Sequence, residues 1–199
     1  MTPRKEQREA TRERVLSAAE GLFSERGFGA TTIREIAGAA GVSVGTVMGV
    51  GDKAAILVEV FDRRISALHD GRAARTEPGS SADEVLALFE PFLALFAADT
   101  ELARQYAATL VTGRHEAGVF NELAATLRHE IGDVLARAGL PPQDAARGAT
   151  AIHLAYLGAL FTGASGGGDD LSAPVQDLVS AVEFITGSPA TDGSESERS

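Results

Sequence analysis

Residues 31–57, TTIREIAGAAGVSVGTVMGVGDKAAIL, pack three helix-start signals and one helix stop into a single short stretch. Thr32 and Glu35 have the S/T-x-x-E spacing of a capping box, in which the threonine oxygen takes an orphan N–H and the glutamate reaches back. Ile36, Ala37 and Ala40 supply an apolar face. Gly41 stops that helix, because a positive φ is cheap only for glycine. Val42 is expected to be buried in the turn. Ser43 is a good N-cap for a third, very short helix through about Met48. Asp52 caps a fourth, with Leu57, Val60, Phe61, Ile65 and Leu68 as its stripe. Helix, glycine turn, short helix and capped helix together make a helix-turn-helix.

The rest of the chain repeats the helical period and lacks the sustained alternation of a strand. Val15, Ala18, Ala19, Leu22 and Phe23 lie on one face of a first helix, which Gly27 and Gly29 end. Residues 70–81 (DGRAARTEPGSS) form a polar linker, and Ser81 with Glu84 reads as a second capping box. The helix that follows holds Val85, Leu88, Phe89, Phe92, Leu95 and Phe96, and Pro91 is expected to kink it. Leu102, Tyr106 and Leu110 mark a shorter helix. Phe120, Leu123, Leu127, Ile131, Val134 and Leu135 mark a long one that stops at Gly139, with Pro141 and Pro142 beyond. An Ala- and Gly-rich helix (143–162), a glycine-rich loop and a last helix with Val175, Leu178, Val179, Val182 and Ile185 complete the pattern. The expected fold is all-α, about nine helices: an N-terminal three-helix helix-turn-helix domain plus a larger helical domain. The expected divisions are 1–52 for the helix-turn-helix domain, 53–69 as a connecting helix, 70–81 as linker, 82–186 for the larger domain, and 187–199 as a disordered tail.

The net charge of -10 disfavours a general nucleic-acid binder, but the charge is unevenly spread. Residues 1–53 hold 8 Lys/Arg against 7 Asp/Glu, and the remaining 146 hold 10 against 21. An acidic body behind a near-neutral head with a basic tip (Arg4, Lys5, Arg8, Arg12 and Arg14 against Glu6, Glu9 and Glu13) suits a protein that touches phosphate at one end only. The absence of cysteine excludes disulfides, thiolate metal sites and a cysteine nucleophile. His69, His115, His129 and His153 are scattered, and no H-E-x-x-H motif occurs. No metal, cofactor or catalytic constellation is expected. Nor is a membrane span or secretory signal, so the expected location is the cytoplasm.

The run TTIREIAGAAGVSVGT, the preceding SERGFGATT and the following GDKAAIL resemble the signature of the TetR family of transcriptional regulators over roughly residues 8–60. The resemblance implies a repressor that binds a palindromic double-stranded operator as a homodimer and is released by a small-molecule effector, with residues 1–52 for DNA binding and the larger helical domain, 82–186, for ligand binding and dimerisation. It also implies roles for matching positions. Thr32 and Lys53 would bind phosphate, and Arg34 would reach a base edge or phosphate. Ser43, Val44, Gly45, Thr46 and Met48 would lie at the major groove, and Arg4, Lys5 and Arg8 would form a mobile basic arm. Where the family places aromatic residues after the threonine, this chain has Met48, Gly49, Val50 and Gly51, in a stretch one residue shorter.

Seven of the eleven Phe and Tyr fall within residues 82–162, and there is no Trp. This concentration makes Phe89, Phe92, Phe96, Tyr106, Phe120, His153 and Tyr156 the candidate lining of an effector pocket. The acidic body favours a neutral or cationic amphipathic effector over a strongly anionic one. The last two long helices, rich in Ala and Gly, are the candidate dimer interface. Rival readings are a small all-helical enzyme and an adaptor that binds only protein.

Overall fold

The computed structural model describes residues 3–70, 80–112, 118–165 and 172–187. Among them there are nine helices and no strand: α1 (Pro3–Ala30), α2 (Ile33–Ala40), α3 (Val44–Val50), α4 (Lys53–Asp70), α5 (Ser81–Ala98), α6 (Thr100–Val111), α7 (Gly118–Arg137), α8 (Pro142–Ser165) and α9 (Ser172–Thr186). The all-α expectation holds. Residues 71–79 of the expected linker, His115, the glycines 166–168 and residues 188–199 of the expected tail lie outside the described residues.

Two compact units divide the chain. One comprises Met1–Ala73 with Leu95–Glu122, and the other Ala74–Ala94 with Leu123–Ser199. In the first, Val15, Ala19 and Phe23 of α1, Ile36 and Ala37 of α2, Val47 of α3, and Ile56, Leu57, Val60 and Phe61 of α4 are buried. Leu16, not assigned to the α1 face by its spacing, is buried as well. Ion pairs join α1 to α4: Arg12 to Glu59 at 2.6 Å, Arg64 to Glu20 at 2.7 Å, and Arg63 to Glu13. Each is partly exposed and therefore contributes less than about 1 kcal/mol. In the second unit, Val85 and Phe89 of α5, Leu127, Ile131 and Leu135 of α7, Ile152 of α8, and Leu178 and Val182 of α9 form the core. Leu178 and Val182 of the apolar α9 stripe thus face their own chain.

Several local expectations change. The capping box before α5 uses Ser80 and Asp83, not Ser81 and Glu84. Asp83 N–H donates to Ser80 Oγ at 3.2 Å, and Ser80 N–H donates to Asp83 Oδ2 at 2.9 Å. Adjacent serines each precede an acid by three residues, and the helix starts at the earlier pair, freeing Glu84 to bind Arg137 at 2.7 Å. Val42 is only half-buried, because the turn presents it at the surface. Pro91 lies within α5, as expected. The basic tip is not a free arm but part of α1, which is helical from Pro3. α1 itself breaks at Gly27, whose φ of 78° and ψ of 160° are essentially open only to glycine. Among the described residues no single helix is long and apolar enough to cross a membrane.

Candidate nucleic-acid interface

The turn between α2 and α3 is built from short-range hydrogen bonds. Thr32 Oγ1 accepts the Glu35 N–H at 3.3 Å and donates to Glu35 Oε2 at 2.8 Å, while Thr32 N–H donates to the same carboxylate oxygen at 2.9 Å. These donations from the Thr32 side chain and backbone, with Arg26 beside them, hold the Glu35 carboxyl below its ordinary range. Gly41, at φ 65°, closes α2, and Val42 N–H returns to the Ala37 carbonyl at 3.0 Å. Ser43 Oγ then accepts the Thr46 N–H at 3.1 Å and starts α3. The chain bends by 103° between α2 and α3, within the range of a helix-turn-helix.

Val47 turns inward and is fully buried, which fixes the rotation of α3. Val44 and Met48, at 45% and 52% exposure, therefore point to solvent with Gly45 and Gly49 beside them. Thr46 is half-buried, and its Oγ1 lies 2.9 Å from Ser43 Oγ. The short turn after α3 requires Gly51, since a Cβ there would lie 2.8 Å from Ala55 Cβ. Asp52 Oδ1 then accepts the Ala55 N–H at 2.8 Å, as expected for the cap of α4.

A groove brings Arg4, Lys5, Arg8 and Arg12 of α1 together with Thr46, Gly49 and Val50 of α3. Cations that are far from α3 in sequence thus flank it in space. Arg12 belongs to the basic tip of the sequence, and Gly49 and Val50 stand where the family has aromatic residues; that they line one groove is revealed only by the packing of α1 against α3. Arg34 is exposed on α2. Lys53 has a different immediate engagement: its Nζ donates to the carbonyls of Phe28 at 2.8 Å and Thr31 at 2.9 Å and sits 4.3 Å from the Phe28 ring centroid. Thr32 is likewise engaged in its cap. Thr31, which sequence reasoning passed over, is buried and donates to the Gly27 carbonyl at 2.9 Å, so it secures the end of α1.

The effector candidates fall into two aromatic groups. In the first unit, Tyr106 stacks on Phe61 with centroids 4.5 Å apart, Phe96 stands edge-on to both rings, and the Tyr106 hydroxyl donates to Asp62 Oδ1 at 3.2 Å. In the second, Phe89 stacks on Tyr156 at 4.3 Å, with His153 6.1 Å from the Tyr156 ring. His153 is buried, and its Nδ1 has no hydrogen-bond partner among the described residues. Burial, then Arg128, lowers its pKa, and burial raises that of Tyr156. Phe92 is buried as well. Phe120 belongs to α7, and its side chain is not among those described. Among the described residues no cluster of His, Asp or Glu has metal-holding geometry.

Residues 15–49 match the family model described as bacterial regulatory proteins, tetR family. The fold is that of the TetR family. A TetR transcriptional regulator from Rhodococcus sp. RHA1 is similar over 93% of this chain and 99% of its own, with 17% identity and a TM-score of 0.63. Thermus thermophilus FadR, a TetR-family repressor whose structure contains lauroyl-CoA, is similar over 94% of this chain and 100% of its own, at 20% identity and a TM-score of 0.60. BioQ, solved with its double-stranded DNA operator, is similar over 88% and 98%, at 18% identity and a TM-score of 0.60. Among curated proteins none matches the chain. The TetR-family match spans the second half of α1 through most of α3; of the groove it includes Thr46 and Gly49 but not the cations of α1.

Proposed function

We propose that this chain is a cytoplasmic transcriptional repressor that binds a palindromic operator as a homodimer and releases it when a small apolar or amphipathic effector binds. The observation that carries the reading is the groove in which Arg4, Lys5 and Arg8 of α1 stand beside Thr46, Gly49 and Val50 of α3. Cations supply phosphate affinity, and a short helix held at 103° to its neighbour is shaped for the major groove. The fold relatives that hold operator DNA and an acyl-CoA support a regulator over a catalyst. Residues 1–52 would read DNA, with 53–69 as the connecting helix and 82–186 for ligand binding and dimerisation. Leu154 of α8 and Phe184 of α9, at 61% and 87% exposure, offer the apolar anchors of a two-fold interface. Phe89, Phe92, His153 and Tyr156 form the best effector candidates, because the orphaned His153 Nδ1 supplies a polar handle among apolar rings. Phe96 and Tyr106 would then act through Phe61 and the connecting helix.

The test is selection of duplexes from a random-sequence pool by the full chain, followed by titration of the enriched duplexes at several salt concentrations. Enrichment of an inverted repeat with a steep salt dependence supports the reading. Failure to enrich any duplex overturns it in favour of a protein-only adaptor or an enzyme.

A further inference from the structure

The seven residues of α3, VGTVMGV, include no charged or amide side chain. The bidentate contacts by which Arg reads guanine and Asn or Gln reads adenine are therefore closed to this helix. Its one hydroxyl, on Thr46, is half-buried against Ser43. What α3 exposes is a stripe of Val44, Gly45, Met48 and Gly49, with about half of each apolar side chain open to solvent. Val44 and Met48 are four residues apart and so lie one above the other on the same face. The glycines beside them leave room for close approach. In the major groove, the apolar feature that distinguishes one base from the others is the C5-methyl group of thymine. The cations that would bind phosphate stand apart, on α1.

We propose that Val44 and Met48 determine operator specificity through contacts with thymine C5-methyl groups in each half-site. The proposal rests on the DNA-binding reading above. Charge and sequence reading are then divided between helices: α1 holds the backbone, and α3 reads methyl groups. Met48 is the more adaptable of the two, since an unbranched thioether follows an irregular surface.

The experiment uses duplexes enriched from the random pool by the full chain, each resynthesised with deoxyuracil in place of thymine, which removes only the methyl groups. Dissociation constants are measured by fluorescence anisotropy at fixed salt. Enriched duplexes are expected to share thymines at fixed half-site positions, and deoxyuracil is expected to weaken binding roughly four-fold per contacted methyl, the scale of one buried methyl group. The Val44→Ala/Met48→Ala variant should lose most of the difference between the two duplexes while melting at an unchanged temperature. Equal binding of thymine and deoxyuracil duplexes by the unaltered protein overturns the proposal but leaves DNA binding standing. Full thymine preference in the double variant also overturns it. A pool that yields no enriched duplex removes both readings and points to a protein partner for this face.

Discussion

Lys53 closes the end of α1: its ammonium donates to the Phe28 carbonyl at 2.8 Å and lies over the Phe28 ring at 4.3 Å. With the second donation to Thr31, this side chain ties the start of α4 to the segment before α2. Lys53→Ala is expected to lower folding stability by about 1.5–3 kcal/mol, the range for hydrogen bonds involving a charged group. Urea denaturation at neutral pH measures this. An unchanged midpoint would show that the two carbonyls gain nothing from the ammonium. Loss of DNA affinity in this variant is then to be read only after its stability is known.

Asp62 is the second point where α4 is sensitive. Burial, opposed by the Tyr106 hydroxyl and aided by Glu59, pushes its pKa up to about 6. The folded state therefore binds the proton more tightly than the unfolded chain, whose aspartate titrates near 4. Stability attributable to Asp62 is greatest below that value and declines as pH rises through about 6. Asp62→Asn keeps an oxygen for Tyr106 and removes the charge. It should stabilise the protein at pH 7.5 by about 1 kcal/mol after allowance for its partial exposure, and leave it nearly unchanged at pH 4. Thermal melts of both proteins across this range decide it; a gain that is equal at both pH values would contradict the titration.

The two glycines near the end of α1 are expected to behave differently. Gly27 has φ 78° and ψ 160°, so Gly27→Ala should cost about 1–3 kcal/mol. At Gly29 a Cβ would meet nothing within 4 Å and φ is ordinary, so Gly29→Ala should be neutral or slightly stabilising. Denaturation midpoints of the two variants should move apart, and equal shifts would refute the assignment.

Gly51 is held by space instead of by dihedral angle. Its φ of 171° suits any residue, but a Cβ there would lie 2.8 Å from the Cβ of Ala55. Gly51→Ala should destabilise the protein by about 1–3 kcal/mol through overpacking. Adding Ala55→Gly should relieve the clash, leaving mainly the helix-propensity cost of about 1 kcal/mol. Additive losses in the double variant, measured by denaturant titration, would mean the crowding lies elsewhere.

Arg4 and Arg8 are expected to act on every duplex alike. Arg4→Ala/Arg8→Ala should weaken binding to selected and random DNA in similar proportion. It should also flatten the salt dependence by about 0.9 log units per log unit of salt for each phosphate that is no longer neutralised. An unchanged slope would remove these side chains from the interface.

The sequence by itself determined the helix-turn-helix and most helix ends. A capping threonine, a glycine at positive φ and a serine cap act over three or four residues, so their effect is complete within the local chain. The same locality misplaced one cap: the spacing assigns it to Ser81 with Glu84, and α5 is capped by Ser80 with Asp83 instead. Tertiary structure decided what depends on residues distant in the chain. Lys53 reaches carbonyls 22 and 25 residues away, and Arg12, Arg63 and Arg64 pair across α1 and α4. Packing also turned the basic tip from an arm into one wall of a groove, and sorted one run of aromatic residues into the Phe61–Tyr106 and Phe89–Tyr156 groups. Periodicity tells which side chains are buried together on one helix. Which helix meets that face is set by the shape and charge of the partner surface, and neither is written in any single segment.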